Sequence, residues 1–316
     1  MTKLAVSRVA KRSLQLIAAL AVAVLCGLAV AENFERLSTY QISPSWLFIA
    51  SGLLFVLAVI AGGTNWHRLL DLVAGRRLPL VKTVQGHAIS WLHRYIPGVG
   101  YLGHKILWAA GNGLSKGNAV AAFLYEQLLI QASSFGFGIL TLGIALATTG
   151  TMDNEAILII AVTIVGIVLF IFAGPAIEKL IQRFRKTKGE ETDGKVSVLS
   201  PAHTLVLFFA FVGPRILNAV AVVLTAVALF GINLPQGLAL AGAYAVASAI
   251  GILAVFVPSG LGVREAIFVG LATVGGVSLV DAIMLSVVAR VITTIADVAL
   301  GTTVLATSRV VRNAKG

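Results

Sequence analysis

The chain has 316 residues, of which 58% are hydrophobic and only 12% are charged. Soluble domains carry about 25% charged residues, so this composition excludes an ordinary water-soluble enzyme or binding domain. The formal net charge is +11, but the basic residues cluster beside apolar runs, as the positive-inside rule describes. They therefore indicate membrane topology and contact with lipid headgroups, and nucleic acid is not an expected partner.

The first apolar run, residues 14–31, follows four basic residues and contains the single cysteine, Cys26. The run is longer than the core of a secretory signal, and further apolar runs follow it. It therefore predicts a retained first helix over about 13–31. A lone cysteine permits no intramolecular disulfide.

Four basic segments divide the rest of the chain: the N-terminus, residues 66–83, the loop 178–199 and the C-terminal tail. Placing all four in the cytoplasm predicts a multi-pass protein of the cytoplasmic (inner) membrane with both termini in the cytoplasm. A helix needs about 20 residues to cross the hydrocarbon layer. The full transmembrane helices predicted on this basis cover about 13–31, 45–65, 118–147, 155–177, 200–230 and 279–308.

Two further segments, 84–117 and 237–277, are apolar but interrupted by Pro97-Gly98 and by Pro258-Ser-Gly260. Broken helices and charges are costly at membrane depth, so they persist there mainly around a site or a water-filled cavity. To keep the basic segments inside, each must enter and leave from one side. A re-entrant hairpin does this, as does a pair of short helices, which would give eight spans.

The predicted fold is therefore an all-α polytopic membrane protein with one membrane domain in two halves, 1–150 and 151–316. Each half has two helices, a broken segment and a third helix, and the halves run in opposite directions as an inverted repeat. Aligning Gly113-Leu-Ser115 with Gly276-Val-Ser278, an offset of 163 residues, supports this repeat. Interruptions at matching places in two halves are a pointer to a transported substrate.

Ionisable residues inside the predicted helices cost about 2.5–3.5 kcal/mol each near the bilayer centre, so each should face the protein interior and have a partner. One interpretation is structural: Glu126 pairs with Arg290, and Asp297 with Arg215 or Arg264. The other is a site for a phosphate or carboxylate, because a backbone break frees amide donors beside a guanidinium. The candidate substrate-binding residues are Arg94, Pro97, Gly98, Glu126, Arg215, Pro258, Gly260, Gly262, Arg264, Glu265, Arg290 and Asp297. Glu265 is also a candidate counter-ion for its neighbour Arg264.

Signals for an enzyme are weak. His87, His93 and His104 are six and eleven residues apart, a spacing that does not put them on one helix face. The sequence has no nucleophile elbow, phosphate-binding loop or metal-binding motif. We therefore expect neither catalysis nor a metal or other cofactor.

At several of these residues the chain resembles the lysylphosphatidylglycerol synthase transmembrane-region family. The matching residues are Tyr95-Ile-Pro97-Gly98, Gly113-Leu-Ser115, Glu126, Pro258-Ser-Gly260-Leu-Gly262-Val-Arg264-Glu265, Gly276-Val-Ser278 and Arg290. The resemblance covers nearly the whole chain, and it implies a translocase that moves an aminoacylated phospholipid across the bilayer. A soluble synthase domain is not found in these 316 residues, so synthase activity is not expected. Gln127 departs from the family, whose first half often has Arg after the Glu.

The expected function is translocation of an anionic or aminoacylated phospholipid, or of a lipid-linked intermediate. Arg94, Arg264 and Arg290 would hold a phosphate, while Glu126 and Asp297 would balance charge or contact a cationic headgroup. The alternative is a non-transporting accessory that scaffolds a lipid or lipid-linked glycan biosynthetic enzyme, which would then be its partner. An integral-membrane transferase is a third class.

Overall fold

The computed structural model describes residues 45–75, 77–95, 100–172, 179, 199–253, 260 and 262–313. Within these residues the chain is helical without any strand, and five helices are long and apolar enough to cross a membrane. The predicted all-α polytopic class is therefore confirmed. The predicted first helix, 13–31, and nearly all of the loop 178–199 lie outside the described residues.

Nine α-helices and one short 3-10 turn occur in the described part of the chain. In chain order they are α1 (Trp46–Ala74), α2 (Leu80–Leu92), the 3-10 turn (His93–Tyr95), α3 (Gly100–Gly111), α4 (Lys116–Thr149), α5 (Asn154–Ile171), α6 (Pro201–Leu229), α7 (Leu234–Leu253), α8 (Val263–Val274) and α9 (Leu279–Asn313). The five candidate spans lie in α1, α4, α6, α7 and α9.

Helix α1 continues nine residues beyond its predicted end at residue 65, so the segment 66–83 is partly helical. Trp66, Leu69, Leu70 and Val73 are all at most 1% exposed and follow the i, i+3, i+4, i+7 spacing of one helix face. This buried stripe packs in the same hydrophobic cluster as residues of α4 and α6. Packing therefore extends the helix past the point where the basic residues indicated an end.

One other predicted boundary was wrong. Helix α5 ends at Ile171, short of the predicted residue 177, and is below the length of the five candidate spans. Helix α7 lies in the predicted broken segment 237–277, yet its 20 residues are long enough to cross a membrane. The break in that segment therefore comes after a full-length helix.

Helices α2 and α3 form an antiparallel hairpin. Ser90 Oγ lies 2.8 Å from His104 Nδ1, and a Cβ added to Gly86 would lie 2.2 Å from the Trp108 ring. Residues near the end of α2 meet residues near the beginning of α3. The beginning of α2 and the end of α3 therefore lie at the same end of the hairpin.

Helices α7 and α8 form a second antiparallel hairpin. The rings of Tyr244 and Phe268 are 6.1 Å apart, and the Gln236 side chain donates to the Gly276 carbonyl at 3.2 Å. The beginning of α7 therefore lies beside the end of α8.

The helix packing has an internal correspondence. When α1, α2, α3 and α4 are matched with α6, α7, α8 and α9, each principal contact among these eight helices has a counterpart. Helix α4 packs on α7 as α9 packs on α2, and α1 packs on α9 as α6 packs on α4. Because α1 is matched with α6, the contact between these two helices corresponds to itself.

The turns that follow the two hairpins also correspond at the offset of 163 residues. Gly113 (φ 85°) and Gly276 (φ 82°) adopt the left-handed conformation, which suits glycine because it lacks a Cβ. The N–H of Leu114 donates to the Ala109 carbonyl at 3.2 Å, and the equivalent bond in the second turn is 3.1 Å. The short Gly-x-Ser match in the sequence thus marks the same local structure twice.

A proline inside α6 is accommodated by a side chain of α1. Pro214 has no N–H, so the carbonyl of Ala210 loses its helical donor. The Asn65 side-chain amide donates to that carbonyl at 2.8 Å. Such replacement of lost backbone bonds is needed at membrane depth, where water is absent.

Helices α4 and α7 make a close, small-residue contact. A Cβ on Gly242 would lie 2.5 Å from the carbonyl oxygen of Gly138, and alternate residues of α7 from Ala239 to Ala249 are buried alanines. Small residues allow helix backbones to approach one another in membranes.

We predict that Gly242→Val lowers the free energy of unfolding by about 1–3 kcal/mol, the usual cost of overpacking a filled interior. Gly166→Val is the matched control, because no atom lies within 4 Å of a Cβ at Gly166. Thermal unfolding in detergent measures the difference. Equal unfolding midpoints for the two variants would contradict the close α4–α7 contact.

Candidate functional site

Arg94 and Tyr95 lie in the 3-10 turn that follows α2 in the first hairpin. Both bind a carboxylate of α9. Arg94 Nη2 donates to Asp297 Oδ2, and the Tyr95 hydroxyl donates to the same oxygen at 2.6 Å. The Arg94 guanidinium also lies 4.5 Å from the centre of the Trp91 ring, a cation–π distance. The Asp297 side chain is 2% exposed, whereas that of Arg94 is 16% exposed.

Glu265 collects three contacts at the start of α8. Its Oε2 accepts the N–H of Gly262 at 2.6 Å, which caps the helix. Its Oε1 lies 3.2 Å from Arg264 Nη2 and 3.5 Å from Arg290 Nη1. Glu265 is therefore the counter-ion of Arg264, as the sequence indicated, and it also binds an arginine of α9.

Glycines place Arg264 in the site. Gly260 (φ 63°) and Gly262 (φ 82°) both have left-handed backbone conformations. A Cβ on Gly260 would lie 2.6 Å from the Gly251 carbonyl oxygen. The chain can therefore turn tightly against the end of α7 before α8 begins, and this turn sets the position of Arg264.

Arg290 lies between the two hairpins. Its guanidinium carbon is 5.9 Å from the centre of the Tyr95 ring, and its Nη1 contacts Glu265 of the second hairpin. The residues next to the two predicted breaks therefore meet at one side chain of α9. Pro97, Gly98 and Pro258 themselves lie outside the described residues.

Tyr244 of α7 belongs to the same group of contacts. The Arg264 guanidinium lies 5.4 Å from the centre of its ring. Arg215 is buried in α6. We call Arg94, Arg264, Arg290, Glu265 and Asp297 the arginine cluster. Three guanidinium groups and two carboxylates give this cluster a formal charge of +1.

A second polar cluster lies beside it and is more deeply buried. Lys105 of α3 donates to both carboxylate oxygens of Glu126 on α4, at 2.5 Å to Oε2. Its Nζ also lies 3.0 Å from the Tyr101 hydroxyl and 3.0 Å from His87 Nδ1, and 4.1 Å from the Trp66 ring centre. Lys105, Glu126 and His87 are at most 3% exposed. We call these three residues the lysine cluster.

The comparison with known proteins agrees with the fold. A family model described as "Lysylphosphatidylglycerol synthase TM region" matches residues 3–301. The chain belongs to this family. No protein of curated function matches the chain. As a member of the lysylphosphatidylglycerol synthase transmembrane-region family, it is a multi-pass membrane protein related to lipid metabolism, and the match is to a membrane region, not to a soluble synthase domain.

In this family member the sequence-derived candidates fall into two groups. The arginine cluster unites Arg94, Arg264, Glu265, Arg290 and Asp297, with Gly260 and Gly262 shaping its backbone. Arg215 is buried in α6. Glu126 belongs to the lysine cluster instead. The structural pairings expected from the sequence were wrong: Glu126 binds Lys105, not Arg290, and Asp297 binds Arg94, not Arg215 or Arg264.

Sequence reasoning missed Lys105, together with His87 and the tyrosines as hydrogen-bonding partners. One signal was available, because an isolated lysine in an apolar segment requires a buried partner. Glu126, 21 residues away, is the nearest carboxylate along the chain. This separation along the chain did not indicate a contact, because only the packing of α3 against α4 brings the two side chains together. His93 and His104 stack with ring centres 4.2 Å apart.

We predict that Lys105→Met lowers the free energy of unfolding by about 3–5 kcal/mol, because it leaves the Glu126 charge buried without its partner. The double variant Lys105→Met, Glu126→Gln should recover most of that loss, since it removes both charges. Thermal unfolding of purified protein measures both. Arg77→Ala is the control: Arg77 is 88% exposed and binds Asp71 at the surface, where ion pairs contribute little. A double variant as unstable as the single one would contradict the pair's role.

Proposed function

We propose that this protein is a lipid translocase of the cytoplasmic membrane. Its substrate would be an anionic or aminoacylated phospholipid, or a lipid-linked intermediate. The observation that carries the proposal is the arginine cluster, which has a formal charge of +1 among membrane-spanning helices beside two broken segments. Charges at this depth are costly and are commonly part of a substrate pathway.

The exposure of the cluster supports a headgroup site. The side chains of Arg94 and Arg290 are each 16% exposed, while Asp297 is nearly buried. The guanidinium groups are therefore partly accessible, whereas the main carboxylate is not. Guanidinium groups bind phosphate in a bidentate manner, so an anionic phosphate headgroup complements the excess charge. Asp297 and the Tyr95 hydroxyl would contact an ammonium group on an aminoacylated lipid, and Glu126 would balance charge.

The helix correspondence supports an inverted repeat. We propose that the α2–α3 and α7–α8 hairpins are re-entrant, entering from opposite sides of the membrane, with both termini in the cytoplasm. In transporters, related halves that surround a midplane site rock against each other. Arg290 contacts residues of both hairpins, so relative movement of the halves would change the site. The sequence contains no nucleotide-binding motif, so movement would follow a lipid gradient or be coupled to an ion.

We predict that Arg264→Ala with Arg290→Ala slows lipid movement at least about tenfold, because a hydrogen bond to a charged group contributes about 1.5–3 kcal/mol. The protein is reconstituted into vesicles, and labelled phosphatidylglycerol, aminoacylated phosphatidylglycerol and phosphatidylcholine are followed between leaflets. Arg77→Ala removes an exposed arginine instead and is the control. Equal rates for wild type and the double variant would refute the proposal.

We also predict a side-specific labelling pattern in a Cys26→Ser background. An impermeant thiol reagent should reach Asn233→Cys and Leu279→Cys, which flank the second hairpin, from outside intact cells. It should reach Arg77→Cys and Lys116→Cys, which flank the first, only after permeabilisation. These four positions lie at helix ends. Labelling of the two residues of one hairpin from different sides would contradict re-entrant hairpins.

The rival function is an accessory that scaffolds a lipid or lipid-linked glycan biosynthetic enzyme. Helix α5 favours a lateral contact: it packs on α4 and only slightly on α6, and large apolar side chains from Ile157 to Phe172 are exposed. This function predicts that changes at Arg264 or Glu126 lower protein abundance or co-purification of the enzyme, while lipid movement by the reconstituted protein is unaffected.

A further inference from the structure

We propose that the lysine cluster is a proton-binding site whose occupancy is coupled to an anionic lipid headgroup at the arginine cluster. This inference rests on the proposed function and names the coupling ion. It arises from a buried group that headgroup binding itself does not use. A buried ion pair is a weak source of stability compared with apolar residues of similar volume, so its presence calls for another role.

The residue types and their hydrogen bonds suit this role. Carboxylate and imidazole groups form the proton relays of membrane transporters, and here they share one ammonium group. Lys105 Nζ has three N–H donors and four polar atoms within 3.0 Å: both Glu126 oxygens, the Tyr101 hydroxyl and His87 Nδ1. Lys105 therefore cannot donate to all four atoms at once. A proton added to the Glu126 carboxylate supplies a further donor within this group.

The titratable and charged groups around the pair come from several helices. Helix α2 contributes His87 and α3 contributes Tyr101, while α1 contributes only the neutral Trp66 ring. Arg215 of α6 adds a buried positive charge whose electrostatic influence reaches Glu126 and His87.

One face of the first hairpin joins the two clusters directly. His87, Trp91 and Arg94 are four and three residues apart, so they lie along one side of α2 and its following turn. The His87 and Trp91 rings stack at 5.8 Å, and Trp91 contacts the Arg94 guanidinium. Arg94 in turn binds Asp297 of α9. A movement of the His87 side chain is thus transmitted through the packed Trp91 and Arg94 side chains to the headgroup site.

The proton balance gives the sign of the coupling. With Lys105 charged, Glu126 ionised and His87 neutral, the lysine cluster has no net charge. A hydronium ion transfers one proton: its O–H bond breaks to leave water, an O–H bond forms on the Glu126 carboxylate, and the cluster charge rises to +1. A phosphodiester anion at the arginine cluster makes that charge less costly, so each ligand raises the affinity for the other. The proton returns to water when the headgroup leaves.

The test measures both ligands on the full-length protein in detergent. Dioctanoyl phosphatidylglycerol is the probe, because its phosphodiester keeps one negative charge between about pH 5.5 and pH 8, the range around the ordinary imidazole pKa. Its dissociation constant should decrease as the pH decreases, by at most about tenfold per pH unit for one coupled proton. In a weakly buffered solution with an indicator dye, binding should take up about one proton per lipid.

Two variants test whether the coupled proton is bound by the lysine cluster. Lys105→Met with Glu126→Gln should bind the lipid with affinity independent of pH and without proton uptake. His104→Gln, which alters the nearby stacked histidine pair, should retain the wild-type behaviour. Dimethyl phosphate tests whether the phosphodiester alone suffices, and it should bind more weakly than the lipid.

Three results would overturn the proposal: no proton uptake by the wild type, equal uptake by the double variant, or equal affinity for dimethyl phosphate and lipid. Failure of this inference is distinguishable from failure of the proposed function. Lipid movement by the wild type that is independent of pH leaves translocation standing without a proton, whereas no lipid movement at any pH removes the translocase itself.

Discussion

The contacts of Arg290 and Asp297 on α9 connect the parts of this protein that its function depends on. Seven residues apart, the two side chains share one helix face and bind different hairpins: Asp297 holds Arg94 of the first, and Arg290 contacts Glu265 of the second. Water is absent at membrane depth, so each of these charges requires a protein partner. One helix face therefore brings both broken segments to a common site.

Charges at membrane depth require partners, and the two polar clusters meet this requirement in different ways. In the lysine cluster, one ammonium and one carboxylate cancel, and both are almost fully buried. In the arginine cluster, three guanidinium groups face two carboxylates, and the arginine side chains are 11% to 16% exposed. A closed, neutral pair is suited to holding or exchanging a proton, whereas an open, positive cluster is suited to an anionic headgroup. The shared face of α2 places them next to each other, so a single hairpin belongs to both.

Backbone features of the fold serve the same arrangement. The Asn65 amide satisfies the Ala210 carbonyl that Pro214 leaves free, so α6 carries Arg215 deep in the protein without an unsatisfied carbonyl at that position. The α4–α7 contact through Gly138 and Gly242 brings α4 against the α7–α8 hairpin. Small residues and replaced hydrogen bonds thus allow these helices to pack closely around charged groups.

Hydropathy along the chain predicted the membrane class and the ends of α4, α6 and α9 to within a few residues, and the two proline breaks indicated the arginines that meet beside them. Hydropathy and the distribution of basic residues are local properties that can be read directly from the order of residues. The charge partners, in contrast, follow from the folded arrangement: Glu126 binds Lys105, and Asp297 binds Arg94, across 21 and 203 residues. The tertiary structure also extended α1, because burial of Trp66 and Leu70 outweighed the nearby basic residues. Pairing and burial depend on which helix faces meet, and no spacing along the chain specifies that.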